Sequence, residues 1–486
     1  MRGQLTSLCR IGHRYYNSEM RRTSLLFAVV LLLAAAVSLI SRDPQPDARL
    51  KKASRAAERA GWIQVHLEGA PSEIGFQHGY LLANEIADNF KAVSTEMAHE
   101  EKKDWAFFRK TAEEVLWPHV EQEYREEIDG IVEGQKARGG KLDRWDIVAL
   151  NAWLELPYYD KVYDQKHGMA PTGNGPGDHC SAFIATGSYT KDGRPVIGHN
   201  NWTSFSSGER WNIVFDITPA KGSRIMMDGA PGLIHSGDDF GVNAAGIMIT
   251  ETTISGFTGW DSNGIPEFVR ARKAMQYSQS IDDYARIMKE GNNGGYANNW
   301  LIADRKTGEV ASLELGLKNV TLLRTKDGYF VGSNFPQDPK LAKEETDFDL
   351  NDKSLSQNAR RIRWNDLMQE NKGKIDVAMG EKFLGDHYDT YDHKTQASER
   401  TLCGHIEASS RGMGSWQPAH APAGAVQNKI TDAASAEKMT FQAALGHACG
   451  TSFKAAEHLA KHKEFAWQRD ILRDMPARGW AKFSAK

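Results

Sequence analysis

Apolar and polar positions follow several rhythms along the chain. The first is unbroken: Ser24 to Ile40 carries no charge and lies between Arg21-Arg22 and Arg42-Asp43-Pro44. At 1.5 Å rise per residue the run reaches about 25 Å, near the lower limit for spanning a bilayer. Its basic flank and the small residues near Ala36 and Ser38 equally fit a cleaved secretory signal. From there to about Ala60 the chain is charged and Ala-rich, a tether without an apolar face. GWIQVHLEGAPSEIGFQHGYLLANEI, Gly61 to Ile86, then reads as a short alternating strand, a Gly/Pro turn and a helix. Helical spacing with many charges continues from about Glu85 to Leu156.

The rhythm changes after Tyr163. HGMAPTGNGPGDHC holds Gly168, Gly173, Gly175 and Gly177 with Pro171 and Pro176, the composition of an exposed flexible linker. Such a loop can be cut without unravelling a core. CSAFIATGSYTKDGRPVIGHNNW follows: a strand from Ser181 to Ala185, a turn at Asp192-Gly193 and a strand from Pro195 to Gly198, a hairpin. Strand patterns continue in RWNIVFDITP, AAGIMITETTI, NNWLIADRKTGEVASLELG and NVTLLRTKDGYFVGSN. Helical ones return around Ile281 to Lys289, Asp352 to Met368 and Phe453 to Leu472. Helices, a run of antiparallel hairpins and helices again predict an α+β fold, stacked sheets covered by helices on both sides. Three segments follow: residues 1–44 as signal or membrane anchor, 45–179 as a mainly helical part ending in the linker, and 180–486 as the catalytic part.

Composition narrows the field. The 486 residues are 40% hydrophobic and 25% charged with a net charge of −3, a globular chain without the basic stripe of a nucleic-acid binder. The body after Ile40 holds no comparable apolar run. It is therefore expected outside the membrane, exported, with membrane contact only through the N-terminal segment. Cysteine usage sharpens the picture. Cys9 precedes the targeting segment, and Cys180, Cys403 and Cys449 are an odd number for an oxidising compartment. Cys403 (in TLCGH) and Cys449 (in HACG) could pair, which leaves Cys180 as the free thiol.

A catalytic thiol needs a base and a means of holding an oxyanion. A cysteine that becomes its own N-terminus acquires an α-amine with a reference pKa near 8 beside its sulfur. Cys180 opens a strand directly after a flexible loop, so cleavage between His179 and Cys180 would expose it in that role. Cys403 and Cys449 lack that setting. No HExxH, paired CxxC, P-loop or dinucleotide fingerprint is present, and no cofactor or catalytic metal is expected.

DHCSAF (Asp178–Phe183), GHNNW (Gly198–Trp202), DDF (Asp238–Phe240), ETT (Glu251–Thr253) and NNW (Asn298–Trp300) occur in order. Together they resemble the phospholipase B-like family of N-terminal-nucleophile (Ntn) hydrolases, related more distantly to bile salt hydrolases and penicillin acyltransferases. The resemblance implies an αββα sandwich of two antiparallel sheets flanked by helices. It puts Cys180 in the nucleophile position and His199 and Trp202 beside it. The Arg/Asp pair that bile salt hydrolases carry there is missing, which speaks against a steroid-conjugate amidase. Thr252 and Thr253 fall where relatives supply an oxyanion donor. Asn298 or Asn299, ahead of the strand WLIAD, is a second donor, and Arg400 resembles a late arginine that closes the site. Each also has a structural reading: hairpin bonding for His199, core filling for Trp202, β chemistry for the threonines, turn chemistry for the asparagines, exposure for Arg400. The implied activity is fatty-acyl release from phospholipids through a thioester. The alternatives are amide hydrolysis or acyl transfer on N-acyl substrates, and a scaffold that binds ligand without turnover.

Overall fold

The computed structural model describes residues 47–170, 179–414 and 416–486. The Ser24–Ile40 run and most of the Gly/Pro linker lie outside them. A leading unit ends at Lys51, and Lys52–Lys486 forms the body.

Two sheets occupy the middle of the body. The larger has nine strands in the order β1 (Ser54–Arg55), β2 (Ile63–Gly69), β5 (Ile213–Pro219), β6 (Ile225–Gly229), β7 (Gly241–Asn243), β8 (Ile247–Thr253), β9 (Asn298–Asp304), β10 (Glu309–Leu315) and β11 (Val320–Thr325). The smaller runs β12 (Gly328–Gly332), β3 (His179–Thr186), β4 (Val196–Ser204), β15 (Ala423–Asp432), β16 (Thr440–Leu445) and β17 (Ala481–Ser484). A two-residue ribbon, β13 (Tyr388–Asp389) with β14 (Lys394–Thr395), stands apart from both.

Side-chain alternation turns these sheets into layers. Along β3, Ala182 and Ile184 join Ile197, Val214, Met248, Leu301 and Phe441 in a core between the sheets. Phe183 and Ala185 point the other way and meet Trp364, Leu367 and Phe383. Those residues belong to the helices Ser356–Glu370 and Val377–Leu384. The outer face of the nine-stranded sheet packs Val65, Phe215, Ile249 and Ile302 against helical residues such as Ile86, Ile131, Val148 and Phe268. The result is helix, sheet, sheet, helix: the expected αββα sandwich.

Three features depart from the expected pattern. Strands β2 and β5 pair in parallel, Ile63 opposite Ile213; the helical segment together with β3 and β4 of the other sheet lies between them and supplies the long crossover that a parallel pair requires. The segment 45–179 thus contributes strands to the main sheet as well as a helical layer. Second, β11 and β12 do not form a hairpin. β11 pairs with β10, and β12 enters the other sheet with Phe330 opposite Ile184. Third, the helix expected over Phe453 to Leu472 is a short helix, Ala455–Lys461, followed by the 3-10 turn Lys463–Gln468.

One helix crossing is unusually close. Gly75 and Gly79 of the helix Pro71–Leu81 meet Gly130 and Gly134 of the helix Gln122–Ala137. A Cβ at Gly75 would lie 1.9 Å from the Glu127 carbonyl oxygen, and one at Gly79 would lie 2.1 Å from that of Ile131. Backbone touches backbone, a contact only glycine permits.

Candidate functional site

Cys180 is the second residue of β3, fully buried and directly opposite Asn201 of β4. Its Sγ lies 3.8 Å from Asn201 Oδ1 and 3.7 Å from Glu251 Oε1 on β8. The Glu251 carboxylate also accepts from the Tyr296 hydroxyl at 3.2 Å. The nucleophile candidate is thus packed between the two sheets, among polar groups of both.

Its backbone is held as firmly. The Cys180 N–H donates to Asn334 Oδ1 at 3.0 Å, and its carbonyl accepts from Arg360 Nη1 at 2.6 Å. Arg360 Nη2 reaches the same Asn334 oxygen at 3.0 Å, and Asn334 Nδ2 donates to the Thr253 carbonyl at 3.0 Å. Asn334 sits just past β12 with φ +69°, a left-handed conformation that Asn tolerates better than most residues. Arg360 is fully buried, and burial lowers its pKa to about 9, opposed by the nearby Cys180; it stays a cation at neutral pH.

Trp202 does not touch the thiol. Alternation places it on the opposite face of β4 from Asn201, among Ile406, Met413 and Ala425. There its ring lies 4.2 Å from the Arg360 guanidinium. It touches Arg360, whose guanidinium in turn bonds the Cys180 carbonyl.

The four expected donors divide into pairs. Thr253 opposes Asn298 across the β8–β9 ladder, and Thr252 opposes Asn299. Glu251 and Thr253 share a face of β8, so Thr253 and Asn298 flank the carboxylate that reaches the thiol. The Asn298 amide is buried with neither its nitrogen nor its oxygen hydrogen-bonded, and Thr253 Oγ1 is likewise unsatisfied. Thr252 and Asn299 lie on the other face, the one Met248 and Leu301 turn toward the six-stranded sheet. A Cβ at Gly332 would come 2.4 Å from Thr252 Oγ1, and Asn299 Oδ1 accepts from Ser312 Oγ at 2.6 Å.

His199 ends up in a buried charge cluster. Its ring, Cys180 Sγ and a Glu251 oxygen lie within 4.8 Å of one another. Its Nδ1 is 3.7 Å from Asp238 Oδ2. Burial, and then the Lys429 ammonium, hold its pKa well below the ordinary value, so the imidazole is neutral. Lys429 itself, fully buried, bridges Asp238 and Asp228, the latter at 3.0 Å. With its amide turned to suit its neighbours, Gln427 accepts from Asn201 at 3.1 Å and donates to Asp228 at 2.9 Å. A polar chain thus runs from the thiol to the Lys429 cluster. Asp238 and Asp239 serve different partners, as adjacent residues should: Asp239 accepts from Trp300 Nε1 at 2.8 Å.

Arg400 is buried rather than exposed. It pairs with Asp389 at 3.0 Å and Asp392 at 2.6 Å. With Thr253, Lys161, Arg411 and Trp416 it lines a cleft of about 560 Å³. Ser356, another lining residue, accepts from Arg360 Nε at 3.0 Å, so the cleft abuts the groups that hold Cys180. The arginine at Cys180 is therefore Arg360, and the asparagine is Asn334, neither singled out by the sequence. Asn334 had one local cue, the Gly-Ser-Asn that ends a strand. Arg360 had none, being one of three arginines in NARRIRW.

The αββα sandwich is the fold class of the N-terminal-nucleophile hydrolases, and here it carries a buried cysteine near the start of β3 with its N–H and C=O held by side chains. The phospholipase B family matches residues 67–340, over half of the chain, and the chain belongs to that family. It is 26% identical over 51% of its length to an uncharacterized protein of Archaeoglobus fulgidus. To the acyl-coenzyme A:6-aminopenicillanic-acid-acyltransferase 40 kDa form of Emericella nidulans it is 25% identical over 47% of its length. To phospholipase B-like 1 of Homo sapiens it is 26% identical over 48%. The chain spans 42%, 57% and 47% of these relatives' own lengths, respectively.

Proposed function

We propose that this chain is an autoprocessed cysteine hydrolase that releases fatty acids from acyl esters. The observation that carries the reading is the setting of Cys180: a buried thiol directly after a Gly/Pro linker, with its amide nitrogen on Asn334 Oδ1. In processing, Sγ attacks the His179 carbonyl and the His179–Cys180 C–N bond breaks. The thiol proton passes to the departing nitrogen, and water hydrolyses the resulting thioester. The freed α-amine inherits the contact with Asn334 Oδ1, and the neighbouring Arg360 cation disfavours its protonation. A neutral amine is the base the thiol needs.

In turnover the amine takes the thiol proton and the thiolate attacks the acyl carbonyl. The unsatisfied Asn298 amide and the Thr253 hydroxyl are the donors available to the oxyanion. The α-ammonium then protonates the leaving alcohol, and water releases the acid. The cleft at Thr253, with Lys161, Arg411 and Trp416 on its walls, offers charge to a head group and apolar surface to a chain. Amide cleavage uses the same groups, and the similarity to a penicillin acyltransferase favours it as the second reading. Export follows from the Ser24–Ile40 run.

N-terminal sequencing of mature protein tests the processing step. The expected result is a fragment starting at Cys180, and a fully active enzyme with the linker still joined to Cys180 would sink the mechanism. Cys180→Ala should leave one uncut chain without turnover. Phospholipids compared with N-acyl amino acids decide the substrate, since release from the amides alone would retire the ester reading.

A further inference from the structure

We infer that the outer side of the six-stranded sheet carries a structural zinc site formed by His387, Cys403, His405 and Cys449. One ligand atom from each of the four lies within 4.8 Å of the others. His387 Nε2 is 3.2 Å from His405 Nε2, and Cys449 Sγ is 3.5 Å from the same nitrogen. A tetrahedral ion with Zn–N of about 2.05 Å and Zn–S of about 2.3 Å has N–N edges of about 3.3 Å and N–S edges of about 3.6 Å. The observed spacings match those edges.

A second feature points the same way. His405 Nδ1 is 2.8 Å from Glu407 Oε1, which orients the ring and turns Nε2 toward the other three ligands. A carboxylate behind the imidazole is the usual outer partner of a metal-bound histidine. Gly404, at φ +63°, makes the turn that lets Cys403 and His405 face one point.

All four positions belong to the protein, which makes the site closed and structural rather than catalytic. It ties together the loop after the helix Val377–Leu384, the turn before β15 and the loop after β16. It also stands behind the active centre: a Cβ on Gly404 would come 2.3 Å from the Trp202 ring that carries Arg360. The sequence predicted no metal because these ligands span residues 387–449 without a recognisable short spacing. Cys403 and Cys449 are free thiols here rather than a disulfide.

The test uses the full chain produced with Zn²⁺ present. Elemental analysis after desalting should find about one zinc per chain. Replacement by Co²⁺ should give a thiolate-to-cobalt charge-transfer band. Cys449→Ser, at the exposed ligand, should lose that band and most of the zinc while its circular dichroism is unchanged. Protein free of zinc that shows no cobalt band overturns the assignment. So does a mass showing Cys403 joined to Cys449, or a folded Cys449→Ser variant that keeps full zinc. The zinc content and cobalt spectrum of the unmutated chain decide the matter even where the variant fails to fold.

Discussion

Arg360 and Asn334, which the sequence did not single out, hold the backbone of Cys180. The planar guanidinium reaches the Cys180 carbonyl and the Asn334 oxygen together, with Trp202 beneath it. Lysine has a compact ammonium and no planar fork, so Arg360→Lys cannot reproduce both contacts in the same geometry. We expect kcat/KM of Arg360→Lys to fall about 100-fold, in the range for a lost electrostatic donor, with little change in thermal unfolding. Asn334→Gly keeps the left-handed backbone but removes the acceptor for the Cys180 nitrogen. Its expected signature is slowed self-cleavage and a shifted alkaline limb of the pH–rate profile. An unchanged pH profile would mean that Asn334 only shapes the turn. Cys180 was legible because its cue is local, a loop followed by a strand. Arg360 was not, since the choice among Arg360, Arg361 and Arg363 is made by which one the helix turns toward β3.

Periodicity served well for elements and poorly for their partners. The helix Ile281–Lys289 and the β3–β4 hairpin lie where their patterns placed them. That β11 and β12 join different sheets was not legible, because hydrophobic alternation describes a strand's faces and says nothing of which sheet it joins. The glycine crossing tests element packing directly. Gly79→Val would force a side chain into the Ile131 carbonyl and should cost at least about 2 kcal/mol in urea unfolding. Gly479→Ala, where an added Cβ meets nothing within 4 Å, should stay within about 0.5 kcal/mol. Equal losses at the two positions would contradict the close crossing.

Buried ionisable groups set the pH response of the whole molecule. Burial, and then the Asp160 carboxylate, raise the Glu101 carboxyl to about 8; burial raises Glu314 to about 7 against two backbone N–H donors. Burial lowers His78 and His235 to about 3. Between pH 6.5 and 8 the unfolded histidines give up their remaining protons, which favours folding by less than about 1 kcal/mol as pH rises. The two carboxyls lose protons that the unfolded chain has already released, a larger contribution of opposite sign. Stability must then fall as pH rises. Unfolding free energy should be lower by about 1–2 kcal/mol at pH 8 than at pH 6.5, and Glu101→Gln should flatten that slope. A rise across the interval would overturn the account. Below pH 6.5 the histidines oppose further gain, because the unfolded chain takes protons that the native rings refuse.

What the sequence determined by itself is whatever is written in neighbouring residues. That covers the layered α+β class from its periodicities, the cysteine that heads a strand after a cuttable loop, and the family from ordered motifs. Tertiary structure decided everything that depends on convergence from afar. It put Thr253 and Asn298 on one face of the β8–β9 ladder and Thr252 and Asn299 on the other, set Trp202 against Arg360 rather than the thiol, and gathered His387, Cys403, His405 and Cys449 at one point. The reason is geometric: a side chain's direction follows from its own strand or helix, but its partners follow from where the sheets and helices pack.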